Sequence, residues 1–79
     1  MDETIRSVLA EHGRLASDAN TIDDQADLFA AGMTSHASVN VMLALEDAFD
    51  IEFSEQMLKK STFESIASIR AGVVEMTGS

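Results

Sequence analysis

The sequence has no cysteine, no proline, no tryptophan and no tyrosine, and only four of its 79 residues are phenylalanine. Without cysteine there is no disulfide framework, no thiolate nucleophile and no thiolate metal site, so the core must hold the fold unaided. Basic residues are also few. Five Lys and Arg stand against 14 Asp and Glu, a net charge of -9, and such a surface repels nucleic-acid backbones and anionic lipid head groups. The longest strictly apolar run is Val41–Leu45, far short of the ~20 residues of a membrane span. Asp2 and Glu3 open the chain where a secretory signal would be basic, so neither membrane nor export is expected and the cytoplasm fits best. What is present is a 46% hydrophobic fraction, which separates this acidic chain from acid-rich disorder. Its length accommodates one domain, residues 1–79.

The missing prolines and the periodicity of the apolar residues indicate an all-α protein. Ile5, Val8, Leu9, His12 and Leu15 mark a first helix that ends soon after Gly13, with Asp2 and Glu3 at its positive end. From Ser17 to Thr34 the chain is rich in Ser, Asp, Asn, Thr and Gly and is expected to be a long loop, anchored by Ile22, Leu28 and Phe29. A second helix is expected from Ser35 to about Asp50, burying Val39, Met42, Leu43, Leu45 and Phe49. Ile51 and Phe53 alternate with polar residues over a stretch too short to pair as a strand, hence a buried connector. Ser54 is placed to cap a short third helix ending at Lys59 and Lys60. Ser61 to Glu64 has the capping-box pattern that would open a last helix through Phe63, Ile66, Ile69 and Val73, fraying from Gly72 to Gly78.

Catalytic and metal sites are scarce. Ser35 and His36 are adjacent, and neighbouring helical residues project about 100° apart, so the imidazole cannot serve the hydroxyl as a base. His12 and His36 fall on different helices without further ligands at metal spacing. The cluster Asp18, Asn20, Asp23, Asp24 and Asp27 fails as a calcium loop, because Ile22 occupies a ligand position and no turn glycine follows. Neither a catalytic nor a metal site is therefore expected. Ser35 itself opens a long helix three residues after Gly32. Alone it is an ordinary helix cap, but the same place suits an anion at the positive end of the helix dipole.

Three segments carry a resemblance. Asp27-Leu28-Phe29-Ala30-Ala31-Gly32-Met33-Thr34-Ser35 resembles the attachment motif of carrier proteins, Asp-Phe-Phe-x-x-Gly-Gly-x-Ser-Leu in peptidyl carriers and Asp-Leu-Gly-x-Asp-Ser-Leu in fatty-acid carriers. Leu45 to Ser54 resembles the Leu-Glu-x-x-Phe-x-x-x-Ile-Pro that ends the second helix of these proteins, and Thr62 to Ile66 resembles the Thr-Val-x-x-Ile that opens their last. The three lie in family order and spacing across essentially the whole chain. The resemblance implies an acyl-carrier-like four-helix bundle, three longer helices plus one short, with a long loop between the first two. It implies that Ser35 is esterified with 4'-phosphopantetheine from coenzyme A by a phosphopantetheinyl transferase using magnesium, whose thiol then holds cargo as a thioester.

Two departures stand beside the serine: Thr34 replaces the Asp of fatty-acid carriers, and His36 replaces the usual Leu. The start of the second helix lacks the acids of fatty-acid carriers, and the Leu28 to Gly32 spacing is that of peptidyl carriers. The chain is most similar to small stand-alone bacterial aminoacyl carriers, charged by ligases similar to seryl-tRNA synthetase and unloaded by a downstream transferase. Thr34, His36, Val39, Leu43, Glu46 and Asp47 are the expected partner face of a monomeric carrier, with Val39 and Leu43 equally open to a core role. The competing expectations are a fatty-acid or polyketide carrier loaded by an acyl-carrier synthetase, and a helical interaction module without a prosthetic group. The ammonium of an amino-acid cargo makes burial costly, so an exposed arm is expected for such a cargo.

Overall fold

The computed structural model describes residues 1–16 and 18–78; Ser17, where the loop was expected to begin, lies outside them. Its elements are α1 (Asp2–Val8), α2 (Ser35–Phe49) and α3 (Ile66–Thr77), with no strand among the described residues. A π-helical turn, Leu9–Gly13, continues α1, and Arg14 stops it in the left-handed conformation at φ 54°. A 3-10 turn, Glu55–Met57, stands where the short third helix was expected, and a second, Lys60–Phe63, takes up the segment that was expected to open the last helix. No described helix is long and apolar enough to cross a membrane.

One apolar cluster joins the three helices. Ile5, Val8 and Leu9 meet Ala37, Val41 and Leu45 of α2 and Ile66, Ile69 and Val73 of α3, with Leu28, Met33, Phe53 and Phe63 filling from the connections. The buried stripe of α2 is thus Ala37, Val41 and Leu45, at i, i+4 and i+8, and of the expected stripe only Leu45 is fully buried. Met42 and Phe49 are half-buried, while Val39 and Leu43 are 50% and 53% exposed. The reason is that α2 is apolar on two faces. The face with the small Ala37 goes inward, next to the end of the first helix.

The long loop is tied on both sides. Arg6 donates to the carbonyls of Ala19 and Ile22, Ala67 N–H donates to the Asp24 carbonyl, and Arg70 bridges Asp2 at 2.7 Å and Asp24 at 3.2 Å. The loop acids have local work. Carboxylates of Asp18, Asp23 and Asp27 each accept the N–H two residues on, so they close Asx turns. No group of metal-ligating side chains forms among the described residues.

Three local expectations are corrected. Ser61, exposed within the second 3-10 turn, does not open the last helix; Ser65 does, its hydroxyl accepting from Ser68 N–H at 3.1 Å. The later start allows Thr62 and Phe63 to enter the core, where Phe63 meets Phe53 edge-on at 5.5 Å. Ser54 precedes the first 3-10 turn, but its side chain makes no capping bond. Gly72 does not fray: it is buried within α3, and a Cβ there would come within 3.1 Å of the Met57 methyl, so its bare backbone lets the connector close on the helix.

Candidate functional site

The segment before α2 is a chain of turns that delivers Ser35 to a fixed place. The Asp27 carboxylate accepts from Phe29 and Ala30 N–H, and Ala31 N–H returns to the Asp27 carbonyl at 3.0 Å. Leu28 is fully buried, with its N–H on the Glu64 carbonyl at 2.7 Å and its carbonyl accepting from Met33. Leu28 and Met33 therefore pin both ends of the turn to the core. Phe29 is half-buried, and so is Ile22.

Gly32 has φ +117°, and a Cβ there would lie 3.3 Å from the Ala16 amide, which itself donates to the Ala31 carbonyl. Only glycine takes this backbone readily. Gly32→Ala is expected to cost about 1–3 kcal/mol in denaturant unfolding, the usual size of a strained backbone position, and wild-type stability in that variant would show the turn to be soft.

The cap of α2 is Thr34, not Ser35. The Thr34 hydroxyl accepts from Ala37 N–H at 3.0 Å, and Thr34 is in the extended conformation of a cap. Ser35 becomes the first helical residue. It is exposed, and among the described residues its hydroxyl enters no hydrogen bond; only its carbonyl is used, accepting from the Ser38 hydroxyl at 2.6 Å. A serine relieved of capping is free for chemistry. Thr34→Ala is accordingly expected to lower stability by about 1 kcal/mol, and Ser35→Ala by less than about 0.5, both from denaturant midpoints. The reverse order would restore the capping role to Ser35.

The electrostatics at this point favour an anion. The helix of 15 residues directs its positive end at Ser35, and the Ser35 and His36 amides have no backbone acceptor among the described residues. Its first turn holds no acidic residue. Beside Ser35 lies an open cleft of about 290 Å³, lined by Phe29, Val39, Met42, Leu58, Lys59, Lys60 and Phe63 together with Ser35 and Ser38. The Lys60 ammonium sits 5.1 Å from the centre of the Phe29 ring, which joins the turn before α2 to the turn before α3. A phosphodiester on Ser35 thus meets free amides, a favourable dipole, unobstructed solvent and a cleft able to take a flexible chain.

The other expected partner residues divide. His36 is exposed in the first turn of α2, and Asp47 is exposed further along it. Val39 and Leu43 are exposed, which removes the core alternative. Glu46 is half-buried and turned into the fold, its carboxylate accepting from Phe53 N–H at 2.9 Å. That bond fixes the connector after α2 and takes up one of the oxygens a partner would need. Lys59 and Lys60, expected at the end of a helix, instead border the cleft beside Ser35. No periodicity could place them there, because a residue 24 positions from the serine reaches it only through the folded chain.

The chain is similar to known proteins in both sequence and fold. A protein family described as a phosphopantetheine attachment site matches residues 3–69. The aminoacyl carrier protein of Agrobacterium fabrum (strain C58) is 51% identical over 69 residues, which are 87% of this chain and 83% of that one. A carrier protein from Agrobacterium tumefaciens, solved with an engineered Bradyrhizobium japonicum glycine:[carrier protein] ligase and ATP, superposes with a TM-score of 0.91 at 47% identity, covering 95% of this chain and 97% of the other. A glycylated carrier protein solved with the Bradyrhizobium japonicum ligase gives a TM-score of 0.75 at 27% identity, over 89% and 93% of the two chains.

Proposed function

The chain belongs to the phosphopantetheine-attachment carrier family, and we propose that it carries an activated amino acid on a 4'-phosphopantetheine arm esterified to Ser35. The observation that supports Ser35 is its release from capping: Thr34 holds the Ala37 amide, while the neighbouring hydroxyl is exposed and, among the described residues, unbonded. In loading, the Ser35 oxygen attacks the phosphorus of coenzyme A that bears the pantetheine. The new O–P bond forms as the pyrophosphate P–O bond breaks, the adenosine bisphosphate departs with the electron pair, and the serine proton passes to a base of the transferase or to solvent. The free amides of Ser35 and His36 and the positive end of α2 then face the phosphodiester. The arm supplies a terminal thiol, so a chain without cysteine can hold cargo as a thioester. Its own residues contribute placement and recognition, and we assign it no catalysis.

The partners of this reading are a phosphopantetheinyl transferase, an ATP-using amino acid:carrier protein ligase similar to seryl-tRNA synthetase, and a downstream transferase. Residues 1–79 act as one carrier domain, monomeric and cytoplasmic, whose surface of -9 favours brief, electrostatically guided encounters. Thr34, His36, Val39, Leu43 and Asp47 form the face that partners meet, with Glu46 in support beneath it.

The apolar walls of the cleft favour a rival, a fatty-acyl or polyketide cargo. Offering the arm-bearing protein to a glycine:carrier protein ligase with ATP, and separately to an acyl-carrier synthetase with a fatty acid, separates the two. An aminoacyl mass increment with the first and none with the second is expected; the opposite pattern would transfer the chain to the acyl carriers.

A further inference from the structure

Arg14 stands apart from the other cations. Arg6 and Arg70 are engaged within the fold, Lys60 lies on the Phe29 ring and Lys59 borders the Ser35 cleft. Arg14 is exposed, and among the described residues its guanidinium enters no hydrogen bond or ion pair. It borders a second open cleft, of about 220 Å³, together with the apolar Leu9, Leu15 and Ala19. Asp18 lines the same cleft, but its carboxylate accepts from Asn20 N–H at 2.9 Å and forms no ion pair with Arg14. The backbone of Arg14 is equally unusual. At φ 54° it occupies the left-handed region, where it ends the π-helical turn, and at such a helix end glycine or asparagine is favoured because other side chains carry a steric cost. No bond of the side chain within the described fold offsets that cost, so the strain points to a use outside it. The place is beside the attachment turn: Ala16 N–H donates to the Ala31 carbonyl at 2.8 Å, and the Arg14 carbonyl lies 3.6 Å from where a Cβ of Gly32 would stand.

We propose that Arg14 is a docking residue for the phosphopantetheinyl transferase, that it takes an acidic side chain of that enzyme, and that it sets the orientation in which the enzyme meets Ser35. The inference rests on Ser35 being the hydroxyl that receives the arm. A surface of net charge -9 draws basic partners but by itself orients none of them. A cation beside the Gly32 turn breaks that uniformity. It favours the pose that brings a carboxylate to Arg14 and opposes those that bring a basic patch there. The apolar wall of Leu9, Leu15 and Ala19 beside the guanidinium gives such a pair less screening than open water would. The occupant is the transferase, because of where each reaction takes place. Arm addition occurs at the Ser35 oxygen, so the transferase must cover the turn against which the Arg14 backbone rests. Aminoacyl loading occurs at the thiol on the far end of the arm, away from that turn.

The test uses the full chain, coenzyme A and the phosphopantetheinyl transferase of the organism that makes this protein, with arm addition followed by intact mass. Arg14→Asn and Arg14→Gly remove the charge and suit the left-handed backbone. Both are therefore expected to unfold at or above the wild-type denaturant midpoint, and yet to raise the KM of arm addition about three- to fivefold with kcat unchanged, the size of an exposed charge pair. Arg14→Glu is expected to raise it further, to about tenfold, and Arg14→Lys to keep most of the wild-type value. The difference between wild type and the Asn variant is expected to vanish in about 1 M salt, where the Debye length is ~3 Å. Aminoacyl loading of the already armed variants by an amino acid:carrier protein ligase is expected to match the wild type. A KM within about twofold of wild type in both the Asn and Glu variants would overturn the inference. An equal loss at the ligase step, or a lowered midpoint in the Asn and Gly variants, would overturn it too, the first by making Arg14 a general contact and the second by giving its side chain a role in the fold. A wild-type protein that takes up no arm would instead overturn the reading of Ser35, and this inference with it.

Discussion

Ser35→Ala is expected to abolish arm attachment, and with it every loading step, while the protein stays folded with stability within about 0.5 kcal/mol of the wild type. The combination is what distinguishes a carrier from a helical interaction module. Were Ser35 a cap, its removal would cost about 1 kcal/mol and spare function; because Thr34 already accepts from the Ala37 amide, removal of the Ser35 hydroxyl deletes only a nucleophile. Intact mass after incubation with a transferase and coenzyme A reads the first quantity, and a denaturant midpoint reads the second. A Ser35→Ala protein that still gains the arm would place the nucleophile elsewhere. One that unfolds would return Ser35 to a structural role.

The largest effect on stability is expected from Leu28→Ala, at about 2–5 kcal/mol, the range for emptying a fully buried leucine site. For a domain of 79 residues, a total stability of about 4–12 kcal/mol follows from the usual 0.05–0.15 per residue, so this one change removes a large share. The N–H of Leu28 is bonded to the Glu64 carbonyl beside α3 and its carbonyl accepts from Met33, two residues before the first residue of α2. These backbone bonds tie the Ser35 turn to the segment before α3, and the buried side chain packs the turn against the core. Equilibrium unfolding in urea measures the loss, and a decrease below about 1 kcal/mol would show that the turn is held by its Asx and backbone bonds alone.

Which features could be read from the sequence follows from how local their causes are. The first helix and its stop after Gly13, the loop anchored by Leu28 and the opening of α2 at Ser35 depend on neighbours in sequence, and the structure places them as the residue pattern indicates. The inward face of α2 does not: Val39 and Leu43 are as apolar as Val41 and Leu45, and only contact with the first helix decides which pair is buried. Two serines four apart, Ser61 and Ser65, both precede helix-forming residues. The choice goes to Ser65 because Thr62 and Phe63 are needed in the core first. Thr34 and Ser35 are a similar pair, and the cap falls to the residue with extended backbone, which leaves the hydroxyl of its neighbour unengaged among the described residues. Glu46 was legible as an acid on α2, but its bond to Phe53 depends on a connector that turns back across the end of the helix. The cleft is the least local feature, since Phe29, Met42 and the two lysines meet only in the folded chain.

The charge distribution gains meaning from the same packing. The loop acids act as turn closers and as partners of Arg70, whose guanidinium is held above its usual pKa by its hydrogen bonds to Asp2 and Asp24. The ground around Ser35 is left without acids in the first turn of α2 and with two lysines across the cleft. A partner adapted to an acidic helix start would find no such feature here.

On this reading the hydroxyl beside the cap, and not the cap, bears the arm. Its most direct test is proteolysis of the transferase-treated protein followed by tandem mass spectrometry of the peptide containing Thr34, Ser35 and Ser38. A single phosphopantetheine increment localised to Ser35 is predicted; an unmodified peptide, or an increment on Thr34 or Ser38, would contradict the account.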